Sequence, residues 1–181
     1  MRVPVATTYE DPRAHAVRER YLGLYGGEGV PVPVEAIAED LLGLRIEAAR
    51  DLDCSGMLLP AERRIVVNAA EDVAGDGQPI RRRRFTIAHE IGHWVCHCLE
   101  GHSPAMEPSY CRPVDMTDAA DRRIEREANV FAAELLMPEP SVRAAWAELE
   151  DIAACAARFD VSPTAMQWRL YSFGLQDQPS A

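Results

Sequence analysis

Five residues, His89-Glu90-Ile91-Gly92-His93, combine types and spacing that can do chemistry. Four residues of α-helix turn the chain through about 400°, so the two imidazoles stack on one face only about 40° apart. Two imidazoles one turn apart can grip a single Zn²⁺, and Glu90 projects beside them where it can handle the proton of a water. The HExxH spacing therefore points to metal-assisted hydrolysis. Such a site keeps three protein ligands and one open position, so it needs a third ligand. A third histidine in the pattern HExxHxxGxxH is excluded, because the required positions hold Cys96 and Leu99.

The elements that must position these side chains read as two helices. Around the motif, Phe85, Ala88, Ile91, Gly92, Val95 and Leu99 recur at three- and four-residue spacing, which predicts an apolar stripe on a helix over 80–99. Gly92 weakens that helix by about 1 kcal/mol relative to Ala, so either tight helix packing or a close approach to the site must need it. In a second helix over 119–137, Ile124, Ala128, Phe131, Ala132, Leu135 and Leu136 form the stripe and Pro138 is the stop. Glu125 sits beside that stripe and is expected to point inward, with Glu127 nearer solvent. His97, two turns after His89, reads as a packed histidine or a supporting group rather than a ligand.

Together, RRFTIAHEIGH and IEREANVFAAELLMP, some thirty residues apart, resemble the ImmA/IrrE family of metallo-endopeptidases. The likeness extends over about residues 30 to 175. It implies zinc ligands at His89 and His93, a catalytic Glu at Glu90, and a third ligand at Glu125, the first Glu of the ExxAN element. It also implies a gluzincin-type peptide hydrolase whose partner is a protein substrate, a helix-turn-helix repressor, cleaved to release stress-response or mobile-element genes. No stretch reads as the N-terminal DNA-binding module that some members carry.

The expected fold is α+β. A zincin-like helical domain over 1–138 holds a small three-stranded, mostly antiparallel sheet packed on the HExxH helix. A C-terminal helical appendage over 139–175 resembles a helix-turn-helix, and 176–181 form a tail. Helices are expected at 12–25, 32–42, 141–149, 151–159 and 163–171, and strands at 44–48, 55–59 and 64–68, the last two joined as a hairpin. Residues 100–118, with three prolines and no clear period, read as a rim loop between the metal-binding helices. Tyr110 and His102 on it are candidate oxyanion donors. A peptide substrate would lie extended along an edge of the sheet.

Composition narrows the partners. A formal charge of −10 argues against a general phosphate-backbone binder. The run Arg81–Arg84 is the one basic candidate, and such runs are mostly solvated helix faces. No signal peptide or membrane span is read, and five cysteines without a disulfide spacing point to a reducing cytoplasm. Cys96 and Cys98 beside the motif, with Cys111 on the loop, raise a thiolate-ligand or redox-latch reading against the plainer one of buried and loop thiols. Two other functional classes remain. One is a non-catalytic metal-containing regulator that binds DNA or a protein through its C-terminal helices; the other is a toxin-like partner of a repressor antitoxin.

Overall fold

The computed structural model describes residues 11–73, 78–99, 109–110 and 119–179. Helix α1 (Pro12–Tyr25) starts at Asp11, whose side chain accepts a hydrogen bond from the backbone N–H of Arg13. Helix α2 (Val34–Ala36) continues as a π-helical turn over Ile37–Leu41. Strands β1 (Arg45–Ala49), β2 (Gly56–Leu59) and β3 (Arg64–Asn68) follow, then helix α3 (Gln78–His93). Strand β4 (Ser109–Tyr110) precedes helices α4 (Ala119–Leu136), α5 (Glu139–Leu149), α6 (Ile152–Phe159) and α7 (Pro163–Ser172). The fold is α+β, as the periodicities predict.

The sheet runs in the order β1-β3-β2-β4. Strand β1 lies parallel to β3, whereas β2 is antiparallel to both β3 and β4, so the sheet is mixed. Strand β4 falls in the stretch read as loop; it is only two residues long and has no alternation to betray it. It pairs with Met57 and Leu58, so it caps part of the edge that the sequence reading left open to a substrate strand. Between β2 and β3 a 3₁₀ turn over Pro60–Glu62 ends at Arg63, which has φ 50°.

Most positions of both predicted helix stripes face the core; Ile124 is half-buried and Leu99 turns outward. Ala88, Ile91, Phe131, Ala132, Leu135 and Leu136 are fully buried, whereas Leu99 is 56% exposed. Helix α3 runs on as a π-helical segment over Trp94–Cys98, with the Leu99 N–H bonded to the Trp94 carbonyl at 3.0 Å. Bonding from i+5 to i widens the turn and shifts the phase, so the 3.6-residue period no longer places Leu99 inward.

The basic run is structural where its contacts are described. Arg84 is 8% exposed; its Nη2 donates to the Val32 carbonyl at 2.7 Å and its Nε to the Asp160 carbonyl at 3.2 Å. Arg81 and Arg84 both pair with the Asp160 carboxylate, and Arg82 pairs with Glu71 at 3.0 Å. The contacts with Asp160 tie the start of α3 to the turn between α6 and α7. Both helices are capped at their N-termini: Asp151, before α6, accepts from the Ala154 N–H at 2.6 Å, and Ser162, before α7, accepts from the Ala165 N–H at 3.1 Å.

Helices α3 and α4 meet at Gly92. A Cβ there would lie 3.0 Å from the Ala128 carbonyl oxygen and 3.2 Å from Phe131 Cδ1. The glycine therefore serves helix packing. Gly92→Ala should cost about 1–3 kcal/mol through overpacking, despite the gain of about 1 kcal/mol in helix propensity. Urea denaturation measures this, and a variant more stable than wild type would contradict the packing account.

Candidate metal centre

The close approach at Gly92 lets a carboxylate on α4 reach two imidazoles on α3. His89 Nε2 and His93 Nε2 lie 3.0 Å apart, and their rings meet edge to face with centroids 4.6 Å apart. Glu125 spans the pair: Oε2 is 3.2 Å from His89 Nε2 and Oε1 is 3.2 Å from His93 Nε2. A tetrahedral ion with bonds of about 2.05 Å separates its ligand atoms by about 3.3 Å. The nitrogen pair and each nitrogen–oxygen contact come near that edge, the two contacts using different oxygens of Glu125, and the group could hold a metal ion.

The surrounding contacts favour the same use. His89 Nδ1 lies 3.2 Å from Asn129 Oδ1. An amide oxygen only accepts, so Nδ1 carries a hydrogen and Nε2 is turned to the centre. Asn129 was not singled out from the sequence, although its place four residues after Glu125 puts it on the same face of α4. His89 and His93 are 5% and 0% exposed. Burial works against charge on both. At His89 the Glu125 carboxylate overrides it and the pKa is raised; at His93 burial prevails and the pKa is lowered. Burial also opposes ionisation of Glu125, but hydrogen bonds with His89 and His93 hold its carboxyl at about 2. A lasting negative charge between two nitrogen donors suits a cation, which would bind with loss of any proton the imidazoles share.

Glu90 is fully buried, and its charge acts on His89. Strand β2 lies over it: a Cβ on Gly56 would sit 3.7 Å from Glu90 Oε1 and 2.4 Å from Thr86 Cγ2. A side chain at residue 56 would force β2 away from α3, and this requirement gave no motif by which to find it.

The remaining candidates fall further out. The backbone of Tyr110 lies in β4 opposite Met57, one position along β2 from Gly56; its side chain, His102 and Cys111 lie outside the described residues. His97 is buried behind His93, ring centroids 5.7 Å apart, with Nδ1 4.0 Å from Glu127 Oε2, and burial lowers its pKa. Neither Cys96 nor Cys98 joins the group. Cys96 Sγ is 4.0 Å from Asp11 Oδ2, and burial pushes the Cys98 thiol up, away from the thiolate a ligand needs.

A mixed sheet laid over a helix that carries two imidazoles, with a carboxylate from the next helix, is the architecture of a metallopeptidase-like domain. The chain belongs to the Peptidase_M78 family, described as the IrrE N-terminal-like domain, whose profile matches residues 52–171. No curated protein is significantly similar in sequence. Among solved structures, a Mycobacterium tuberculosis transcriptional regulator is similar in fold, with a TM-score of 0.57 and 18% identity. The match covers 90% of this chain and 47% of that one, so this chain spans about half the length of that regulator. Among the described residues, no helix is long and apolar enough to cross a membrane.

If the three side chains hold a metal, Zn²⁺ added to the metal-free protein should raise its Tm, by about 3 kcal/mol of stability at a hundredfold excess over Kd. Glu125→Ala should remove the shift. Asn129→Ala should weaken the affinity about 10- to 100-fold while keeping a saturable response. A Glu125→Ala protein that responds like wild type would show that the ion binds elsewhere.

Proposed function

We propose that this chain is a zinc-dependent endopeptidase whose ligands are His89, His93 and Glu125 and whose general base is Glu90. The observation that carries the reading is the Glu125 carboxylate bridging two imidazole nitrogens that lie 3.0 Å apart, one oxygen 3.2 Å from each, beside the buried carboxylate of Glu90. Two imidazoles and one carboxylate in this motif suit zinc. When bound, the ion supplies Lewis acidity and makes a water nucleophilic at neutral pH.

The protein residues do the rest. Asn129 orients His89, and Glu125 counters the charge on the cation side. Glu90 accepts the proton of the attacking water on a carboxylate oxygen and delivers it to the leaving amine. The backbone of β2 at Gly56 covers Glu90 and keeps bulk water from it. Tyr110 is the stronger of the two oxyanion candidates, because β4 holds its backbone beside the strand that reaches Glu90.

The proposed substrate is a helix-turn-helix transcriptional repressor, the target implied by the family resemblance, and its cleavage would release the genes it silences. The formal charge of −10 supports a protein target over nucleic acid. Residues 139–175 are accordingly read as a protein-docking appendage to the metallopeptidase domain.

Glu90→Gln should retain zinc, measured by metal analysis, yet cut candidate repressors about 100- to 10,000-fold more slowly, followed by mass spectrometry of the fragments. Cleavage by that variant at the wild-type rate would remove Glu90 from the mechanism.

A further inference from the structure

Beside the metal centre, α4 and α7 enclose an open groove of about 650 Å³ whose α7 wall the hydrolytic mechanism leaves unused. Val130 and Ala133 of α4, with Met137 just past its end, form one wall, Ala165 and Trp168 of α7 the other, and Phe85 of α3 contributes to the lining. We propose that this groove docks an amphipathic helix of the protein substrate, apolar face inward, with the adjoining chain led to the metal centre. The proposal rests on the peptidase reading for the identity of its occupant, but not for the binding itself.

Four observations carry it. First, the groove follows α4 from Arg122 to Met137, about 20 Å at 1.5 Å per residue, too long for one side chain and about the length of a four-turn helix. Second, its α7 wall repeats at i, i+3, i+4 and i+7 through Ala165, Trp168, Arg169 and Ser172. Two helical ridges of this kind leave a trough that a third helix fills by interdigitation. Third, Trp168 is 48% exposed, whereas its neighbours Met166 and Leu170 are fully buried. Its ring stands edge to face on Tyr171, centroids 6.0 Å apart, a pre-positioned aromatic of the kind that anchors interfaces. Fourth, Glu125 and Asn129 line the same groove, so its end is continuous with the proposed ligands.

The rim specifies the partner further. Exposed Arg122 and Arg126 border the groove, which favours a helix whose apolar stripe is flanked by carboxylates. A second copy of this chain is a poor occupant. Among the described residues its exposed large hydrophobics are Leu24, Tyr25, Ile80, Leu99 and Trp168, which are scattered and form no helical stripe.

The test uses the full-length, zinc-loaded Glu90→Gln protein and a capped peptide of about fifteen residues with Leu at helical spacing and Glu between. A scrambled peptide of equal composition is the control. The indole N–H resonance of Trp168, assigned with Trp168→Phe, should shift saturably with the striped peptide alone. Ala133→Arg and Ala165→Arg, which fill the groove from opposite walls, should each weaken binding about tenfold in protein that circular dichroism shows to be folded. The proposal is overturned if the striped peptide leaves Trp168 unmoved, if the scrambled peptide binds as tightly, or if both arginine variants bind like wild type. Concentration-dependent dimers that shield Trp168 would make a second copy the occupant and overturn it too. Repressor cleavage by wild type is read separately: binding without cleavage sinks the peptidase reading, and cleavage without groove binding sinks this one.

Discussion

Residue 92 sets how near two helices can come. With only a hydrogen in place of a side chain, α3 approaches α4 until the site of a missing Cβ is 3.0 to 3.2 Å from Ala128 and Phe131. Interiors are packed too densely to absorb an extra methyl at that separation without displacement. His89 and Asn129, His93 and Glu125 can meet only because of this spacing, since their side chains reach across the same contact. A helix weakened by glycine at its centre is held by the tertiary packing it permits. The same logic applies at Gly56, where β2 descends onto Thr86 and Glu90.

The interior created in this way is polar where a core is normally apolar. His89, Glu90 and His93 are all at most 5% exposed, and His93 Nδ1 is buried with no hydrogen-bond partner among the described residues. A buried polar atom left in that condition costs about 1–3 kcal/mol. The surrounding apolar residues, Ile87, Ile91, Phe131 and Leu135, are fully buried and supply the stability against which that cost is set. A centre assembled at such expense, with a carboxyl held at about 2 between two imidazoles, is far better matched to a cation than to a metal-free core.

What the sequence made legible follows from periodicity and punctuation. Pro12 and the Ser162-Pro163 pair mark the starts of α1 and α7, Pro138 marks the stop of α4, and the six-residue stripe of α4 places Glu125 inward by phase alone. The limits are equally physical. Leu99 escaped because a π-helical segment breaks the phase that the reading assumed, and β4 because two residues carry no alternation. Asn129 and Gly56 act through a single contact each, a hydrogen bond to His89 and a close approach to Glu90, and one contact leaves no repeating pattern in a chain.

Arg84 shows why composition misleads about partners. Four consecutive arginines invite a phosphate backbone, yet the guanidinium of Arg84 is spent within the fold, on the Val32 carbonyl and on both the carbonyl and carboxylate of Asp160. Charged hydrogen bonds of this kind contribute about 1.5–3 kcal/mol each. Their geometric effect matters more than their energy. Asp160 lies between α6 and α7, so Arg84 fixes that turn to the helix that carries His89 and His93 one and two turns further on. A second buried tie, Arg169 to Glu134 and to the Met137 carbonyl, joins α7 to α4. With α7 anchored to both helices that carry His89, His93 and Glu125, the wall that carries Trp168 is held in place beside that group.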